Sequence, residues 1–149
     1  IADKTCSREY LALCDGIVKD DSGRIETYIG RHPTDRIKMA VVSAEKGRYA
    51  ATNYEVVKRF VKGYTLMRFK LETGRTHQIR VHCRYIGHPI VGDPVYGSKK
   101  QKFQLSGQLL HAYRLGLTHP RTGERMVFEA PIPDYFEKVL DTLEKGGEI

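Results

Sequence analysis

Two arginines, two histidines and a glutamine lie within eight residues of one another, between Arg75 and His82. Such side chains donate hydrogen bonds, and a planar guanidinium suits a carboxylate or a phosphate especially well. The cluster follows an alternating apolar run, Tyr64–Leu71, and a Thr-Gly break at residues 73–74. This order predicts a strand, a turn and then a helix that carries donors for anionic groups. Arg80 is the main candidate, and a structural or surface arginine is the alternative.

The same segment lacks the spacing of a common metal motif or phosphate loop. His77 and His82 are five residues apart, whereas a zinc-binding helix places its two histidines four apart. Cys83 and His88 lie nearby, but the chain contains no Cys-x-x-Cys pair. The Thr-Gly break has neither the extra glycines nor the Gly-Lys-Ser/Thr ending of a P-loop. The sequence therefore predicts neither a metal site nor a nucleotide-phosphate loop.

Most of the elements that position these side chains are predicted to be strands. Apolar and polar residues alternate, with turn residues between the runs, in six segments: Arg8–Cys14, Arg24–Ile29, Thr52–Val57, Tyr64–Leu71, Leu109–Leu117 and Arg125–Glu129. In the first of these, Tyr10, Ala12 and Cys14 share one face and Leu11 and Leu13 the other. Lys62-Gly63 links the runs Thr52–Val57 and Tyr64–Leu71 and is typical of a hairpin turn, so we expect those two strands to be neighbours.

Two segments have helical periodicity. Thr76–Ile86 has apolar residues at positions 79, 83 and 86 and is followed by a Gly-His-Pro stop. Asp134–Lys145 has Asp134 as its predicted N-cap and a stripe of Phe136, Val139, Leu140 and Leu143. Strands and helices do not alternate as βαβ units. The predicted fold class is α+β, a mainly antiparallel or mixed β-sheet with a few helices, in one domain over residues 1–149.

Composition favours a basic, intracellular protein. The chain of 149 residues has 25 Lys and Arg against 18 Asp and Glu, a net charge of +7. This surplus favours polyanionic partners, nucleic acid first. Its apolar runs are too short to cross a membrane, and its three cysteines, an odd number, argue against a disulfide framework. We expect a cytoplasmic protein.

Three motifs carry a family resemblance. The string Leu71–His82, the segment Gly87–Gly97 and the motif Arg8-Glu9-Tyr10-x-Ala12 resemble the RluA-type family of RNA pseudouridine synthases. The likeness extends from Tyr10 to the extended segment Ala130–Pro133. It implies a pseudouridine synthase catalytic-domain fold and an enzyme that isomerises selected uridines in structured RNA. It further implies no cofactor, no metal, no membrane and a monomer when intact.

The resemblance also assigns roles to particular residues. The family arginine that matches Arg80 pairs with the catalytic aspartate, and the tyrosine that matches Tyr10 stacks on the target uracil. That tyrosine is also a candidate to help remove the C5 proton, whereas a strand tyrosine is otherwise most often a core residue. Residues 31–39 resemble a basic loop of members that act on ribosomal RNA. The predicted RNA-binding residues are Arg31, His32, Arg36 and Lys38 in that loop, with Arg75, His77, Gln78 and Arg84 around the helix.

One family feature is missing from the chain. The family's catalytic aspartate lies in an Arg-Leu-Asp segment, and none of the aspartates here has that context. Asp93 lies in a Gly-Asp-Pro turn that belongs to a different family motif. We therefore expect the C-terminal portion of a catalytic domain, inactive by itself. The absent segment should also leave sheet edges unpaired and apolar surface bare.

Three functions are compatible with these observations. The first is a synthase that acts on RNA, with ribosomal RNA of the large subunit favoured because of the basic loop and transfer RNA as the other class. The second is an RNA-binding module without catalytic activity. The third is a basic domain that binds protein. A steep loss of RNA affinity with salt separates the first two from the third.

Overall fold

A single antiparallel sheet of seven strands forms the centre of the fold in the computed structural model, which describes residues 6–149. The strand order is β3-β2-β4-β5-β1-β6-β7. The bounds are β1 Cys6–Asp15, β2 Ser22–Arg31, β3 Met39–Val42, β4 Arg48–Phe60, β5 Tyr64–Leu71, α1 Gln78–Tyr85, β6 Leu110–Thr118, β7 Arg125–Glu129 and α2 Asp134–Glu144. The predicted α+β class is confirmed, and every strand pair in the described sheet is antiparallel.

The two helices cover opposite faces of the sheet. Successive side chains of a strand point to opposite faces, so neighbouring residues of β1 belong to different cores. Leu13 packs in a cluster with Phe136 of α2, whereas Ala12 and Cys14 pack with Ile79 of α1. The predicted division of β1 into two apolar faces is confirmed. Its consequence is that α1, with its donor side chains, lies on the same face as Tyr10.

Several predicted bounds were too short. β2 and β4 extend beyond the runs Arg24–Ile29 and Thr52–Val57, because pairing with each other and with β5 continues past the apolar alternation. β3 was not predicted; its residues, Met39–Val42, pair with β2 after the basic loop. A strand of four residues shows too few alternations to be recognised by its period.

Both helix starts differ from the prediction: α1 begins later, and α2 has a different N-cap. α1 begins at Gln78 rather than Thr76, because His77 adopts a left-handed conformation with φ of 56°. The predicted N-cap of α2, Asp134, is wrong: Pro133 is the cap, and its carbonyl accepts hydrogen bonds from the amides of Phe136 and Glu137. Asp134 instead lies in the first turn, where a carboxylate favours the positive end of the helix dipole.

The edges of the described sheet are β3 and β7. On β7 the side chains of Val127 and Phe128 are 45% and 55% exposed.

No helix within residues 6–149 is both long and apolar enough to cross a membrane.

Candidate active site around Arg80

A buried histidine attaches α1 to the sheet. The ring of His82 is fully buried, and its two nitrogens lie 2.7 Å from the hydroxyl oxygens of Thr27 on β2 and Thr52 on β4. Burial lowers the pKa of His82 to about 4, so the ring is neutral near pH 7. A neutral ring donates through one nitrogen and accepts through the other, which suits two hydroxyl partners. His82 thereby fixes α1 across two strands, two residues beyond Arg80.

Gln78 makes a second attachment at the start of the same helix. Its amide nitrogen donates to the carbonyl of Ala51 at 3.0 Å and to the hydroxyl of Thr52 at 2.8 Å. Its oxygen accepts from the Thr73 hydroxyl at 2.8 Å and from the Arg75 amide at 2.9 Å. Gln78 is only 2% exposed. The amide predicted to contact RNA is thus occupied within the protein in this structure, where it joins the turn, the helix and β4.

Arg80 is held by one carboxylate and one aromatic ring. Its Nε and Nη2 donate to the two oxygens of Asp93 at 2.8 Å and 2.9 Å. The guanidinium carbon lies 5.0 Å from the centre of the Tyr96 ring, a cation–π distance. The hydrogen bond with Asp93 raises the pKa of Arg80. Only 13% of the Arg80 side chain is exposed, so its direction is set by these two contacts.

Asp93 belongs to this site although it was not among the predicted site residues. Its carboxylate is buried and accepts hydrogen bonds from Arg80 and from the backbone amides of Val95 and Tyr96, at 2.9 Å and 3.0 Å. Burial raises the pKa of Asp93, but the Arg80 and backbone hydrogen bonds outweigh it and the net shift is downward. An ionised carboxylate with four hydrogen bonds is a fixed anchor and a poor nucleophile. The signal available in the sequence was the Gly-Asp-Pro turn itself.

Tyr96 links this pair to the basic loop and to the turn before α1. Its hydroxyl oxygen accepts a hydrogen bond from the Met39 amide at 2.8 Å and lies 2.8 Å from Nδ1 of His77. Burial, followed by the charge of Arg80, lowers the pKa of His77. His77 is therefore a neutral neighbour of the cationic Arg80. One ring nitrogen of His77, which was predicted to contact RNA, is therefore engaged with Tyr96 inside the protein.

The basic loop forms one wall of a large open cavity. The cavity, of about 1060 Å³, is lined by Lys38 from the loop, by Arg84 from α1, and by residues of the segment 92–105, Asp93 and Lys99 among them. Lys38 and Arg84, which lie 46 positions apart in sequence, are thus brought to one site. Three cations, Lys38, Arg84 and Lys99, outnumber the two carboxylates Asp35 and Asp93 around this cavity, and the surplus suits a phosphate chain.

The remaining predicted RNA-binding residues take different positions. His32 caps its own loop, since Nδ1 accepts from the amides of Thr34 and Asp35. Arg31 and Arg36 are exposed on this loop. Arg75 is half-buried at the turn before α1, where its Nε donates to the Tyr49 carbonyl at 2.7 Å.

Tyr10 borders a separate, smaller cavity. It is half-buried on β1, opposite Phe69 of β5 and Ala112 of β6. The cavity has a volume of about 340 Å³, and the side chains of Tyr113 and Phe128 also line it. Tyr10 packs against the cluster that contains Ile79, the residue before Arg80. No side-chain hydrogen bond or ring contact between Tyr10 and Arg80 is formed in residues 6–149.

Comparisons with known proteins point to one family. A family model described as RNA pseudouridylate synthase matches residues 1–85. An uncharacterized RNA pseudouridine synthase of Bacillus subtilis (strain 168) is 46% identical over 147 residues, which are 99% of this chain and 47% of that protein. Ribosomal large subunit pseudouridine synthase D of Neisseria meningitidis serogroup A is 46% identical over 153 residues, 96% of this chain and 40% of that protein.

A solved structure has the same fold. Human RNA Pseudouridylate Synthase Domain Containing 1 superposes with a TM-score of 0.74 at 25% identity, over 97% of this chain and 68% of that chain. The chain spans under half the length of the two bacterial relatives. No group of three or more metal-ligating side chains that could hold an ion occurs in the part of the chain that the structure describes.

Proposed function

The chain belongs to the RNA pseudouridylate synthase family, and on that premise we propose that it forms part of an enzyme that isomerises uridine to pseudouridine in structured RNA. In this reaction the bond from C1′ of the ribose to N1 of uracil breaks and a bond from C1′ to C5 forms. The C5 proton leaves and N1 gains a proton, so the base keeps its composition. The target base must leave its stack to reach the site.

The single observation that carries this proposal beyond family membership is the way Arg80 is held. Asp93 binds the Nε and Nη2 edge of the guanidinium, and within the described residues Nη1 makes no hydrogen bond. The planar fork therefore has one edge fixed and one nitrogen left for a further acceptor. We propose that this acceptor is the nucleophilic carboxylate, which Arg80 keeps ionised and directed.

Tyr10 is the proposed stacking residue for the uracil. Its half-buried ring lines the cavity of about 340 Å³ with two other aromatic side chains, a volume at the small end of ligand sites, which run from about 300 to 1,000 Å³. Flipped and unpaired bases are commonly held by aromatic rings. This arrangement supports the assignment made from the Arg-Glu-Tyr-x-Ala motif.

The RNA backbone is proposed to follow the basic loop and the large cavity. Arg31, Arg36, Lys38 and Arg84 are the proposed phosphate contacts. We propose that His32, Arg75, His77 and Gln78 support this RNA-binding surface; like Arg31 and Arg84, each forms a hydrogen bond inside the protein. Large-subunit ribosomal RNA is the proposed substrate, since two relatives from Neisseria meningitidis bear the name ribosomal large subunit pseudouridine synthase D.

We propose further that residues 1–149 are the C-terminal portion of one catalytic domain and that the nucleophile lies in a segment outside them. The chain covers 47% and 40% of the two bacterial relatives. None of its aspartates lies in an Arg-Leu-Asp segment, and Asp93 is fully engaged in hydrogen bonds. These same facts favour the second candidate, an RNA-binding module without catalytic activity.

Tritium release from RNA labelled at C5 of uridine distinguishes the two. The protein expressed from its complete gene is incubated with ribosomal and with transfer RNA transcripts. Release from ribosomal RNA, and its absence with an Arg80→Ala variant, is the expected result. Absence of release from both RNAs, with salt-dependent RNA binding retained, would establish the binding module instead.

A further inference from the structure

A small groove, here called the β3 groove, lies between the edge strand β3 and the last turn of α1. Its volume is about 260 Å³. Met39 and Val41 of β3 and Val81 of α1 give it apolar lining, and Tyr85 and Tyr96 add two aromatic rings. Ligand sites for drug-sized molecules measure about 300–1,000 Å³. A groove just below this range admits one group of the size of a nucleobase.

Tyr85 is the most exposed aromatic side chain at this groove. It is 58% exposed although it lies on a short helix that packs against the sheet. It forms no side-chain hydrogen bond and no ring contact with any residue in the range 6–149. Its neighbour Tyr96, by contrast, is 2% exposed and bonded through its hydroxyl. The free ring of Tyr85 is therefore available to stack on a ligand.

Two cationic side chains and one imidazole ring line the same groove. They are His32 and Lys38 of the basic loop and Arg84 of α1. The position of Arg84 is fixed, because its Nη1 donates to the carbonyl of Tyr96 at 3.1 Å. Lys38 and Arg84 also line the large cavity of about 1060 Å³. A chain of phosphates that follows these two cations would thus pass from the large cavity into the β3 groove.

We propose that the β3 groove binds one unpaired nucleotide of the RNA, with its base on Tyr85 and its phosphates on Lys38 and Arg84. Bases that are splayed out of RNA loops stack on aromatic side chains and need little sequence-specific contact. The charge of the groove favours this occupant over a protein strand added to the edge of β3, which has only four residues. The inference rests on the proposed function and names a contact outside the reacting uridine.

The test is a set of RNA titrations with the protein expressed from its complete gene and with four variants of it. Anisotropy of a labelled, unstructured ten-nucleotide RNA is followed at several salt concentrations. The variants are Tyr85→Ala, Tyr85→Phe, Arg84→Gln and Tyr135→Ala. Tyr135 is the matched control, because it is 54% exposed on α2, the helix on the opposite face of the sheet.

Each variant has its own expected signature. Tyr85→Ala weakens binding by about 5- to 100-fold, the effect of losing one base–aromatic stack, without changing the salt slope. Tyr85→Phe keeps the stack and stays within about twofold of the wild type. Arg84→Gln lowers the slope of log affinity against log salt by about 0.7, one phosphate contact of a single strand. Tyr135→Ala matches the wild type.

Two results would overturn the proposal, and they distinguish a failure of the groove from a failure of the proposed function. Salt-dependent binding of the wild type with no loss for Tyr85→Ala would show that the groove holds no base, while the proposed function would stand. No salt-dependent RNA affinity in the wild type would overturn the groove and the RNA-directed function together.

Discussion

Acidification should destabilise this fold through one buried side chain, His82. The ring is fully buried between Thr27 and Thr52, and no water can solvate the imidazolium that forms at low pH. Protonation would also remove the acceptor nitrogen that one of the two hydroxyls needs. The folded state therefore favours the neutral ring.

The magnitude follows from the shift in pKa. His82 has a folded-state pKa of about 4 against an ordinary value of 6.5. Between these values the unfolded chain binds a proton at His82 and the folded chain does not. The stabilising contribution of His82 is thus present above pH 6.5 and is lost as the pH falls toward 4. Lowering the pH from 7 to 5 should remove about 2 kcal/mol of unfolding free energy through this residue.

Urea unfolding at pH 7 and pH 5 measures this contribution. The wild type is compared with His82→Gln, which retains a polar side chain that does not titrate. The stability difference between wild type and His82→Gln should shrink by about 2 kcal/mol at the lower pH.

A second readout covers the case in which His82→Gln does not fold. Histidine ring signals of the wild type, followed by NMR, should show His82 neutral at pH 5. Protonation of His82 near pH 6.5 would refute the reasoning. So would a stability difference between wild type and His82→Gln that does not change with pH.

Three further perturbations test the site and the core. Asp93→Asn leaves Arg80 without its anion and should lower the free energy of unfolding by about 3 kcal/mol in urea titrations; an unchanged value would mean that the ion pair does not hold the site. Gly92→Ala places a Cβ 2.5 Å from the Gly107 carbonyl at a φ of 79°, so it should destabilise by at least about 1 kcal/mol more than Gly63→Ala, which has φ of 96° and open space. Phe136→Ala should cost about 3–5 kcal/mol, because its side chain is fully buried between α2 and the sheet; the exposed neighbour Tyr135→Ala should stay within about 0.5 kcal/mol of wild type.

The sheet and its two faces were predictable because they depend on local alternation. In β1 the period of two assigned Ala12 to one core and Leu13 to the other before any pairing was known. β3 was not predictable in this way, because its four residues become a strand only by pairing with β2. The N-cap of α2 was misassigned since a preceding proline, rather than the aspartate, adopts the extended conformation there.

The site was predictable in its residue types but not in its partnerships. Arg80 was selected from its place on a helix, yet its partner Asp93 is 13 residues away, beyond the end of that helix. His82 joins threonines that are 55 and 30 residues away. Such contacts depend on how the strands are ordered in the sheet, and no local spacing records that order. The engagement of Gln78 inside the protein was hidden for the same reason.

The measurement that tests the central claim most directly is a comparison of turnover and RNA affinity for Arg80 variants of the protein expressed from its complete gene. Single-turnover formation of pseudouridine and RNA binding are measured for wild type, Arg80→Lys and Arg80→Ala. We expect Arg80→Ala to abolish turnover and to leave RNA affinity nearly unchanged, with Arg80→Lys strongly impaired because a point charge cannot replace the fork that Asp93 holds. Turnover retained in Arg80→Ala would contradict the account.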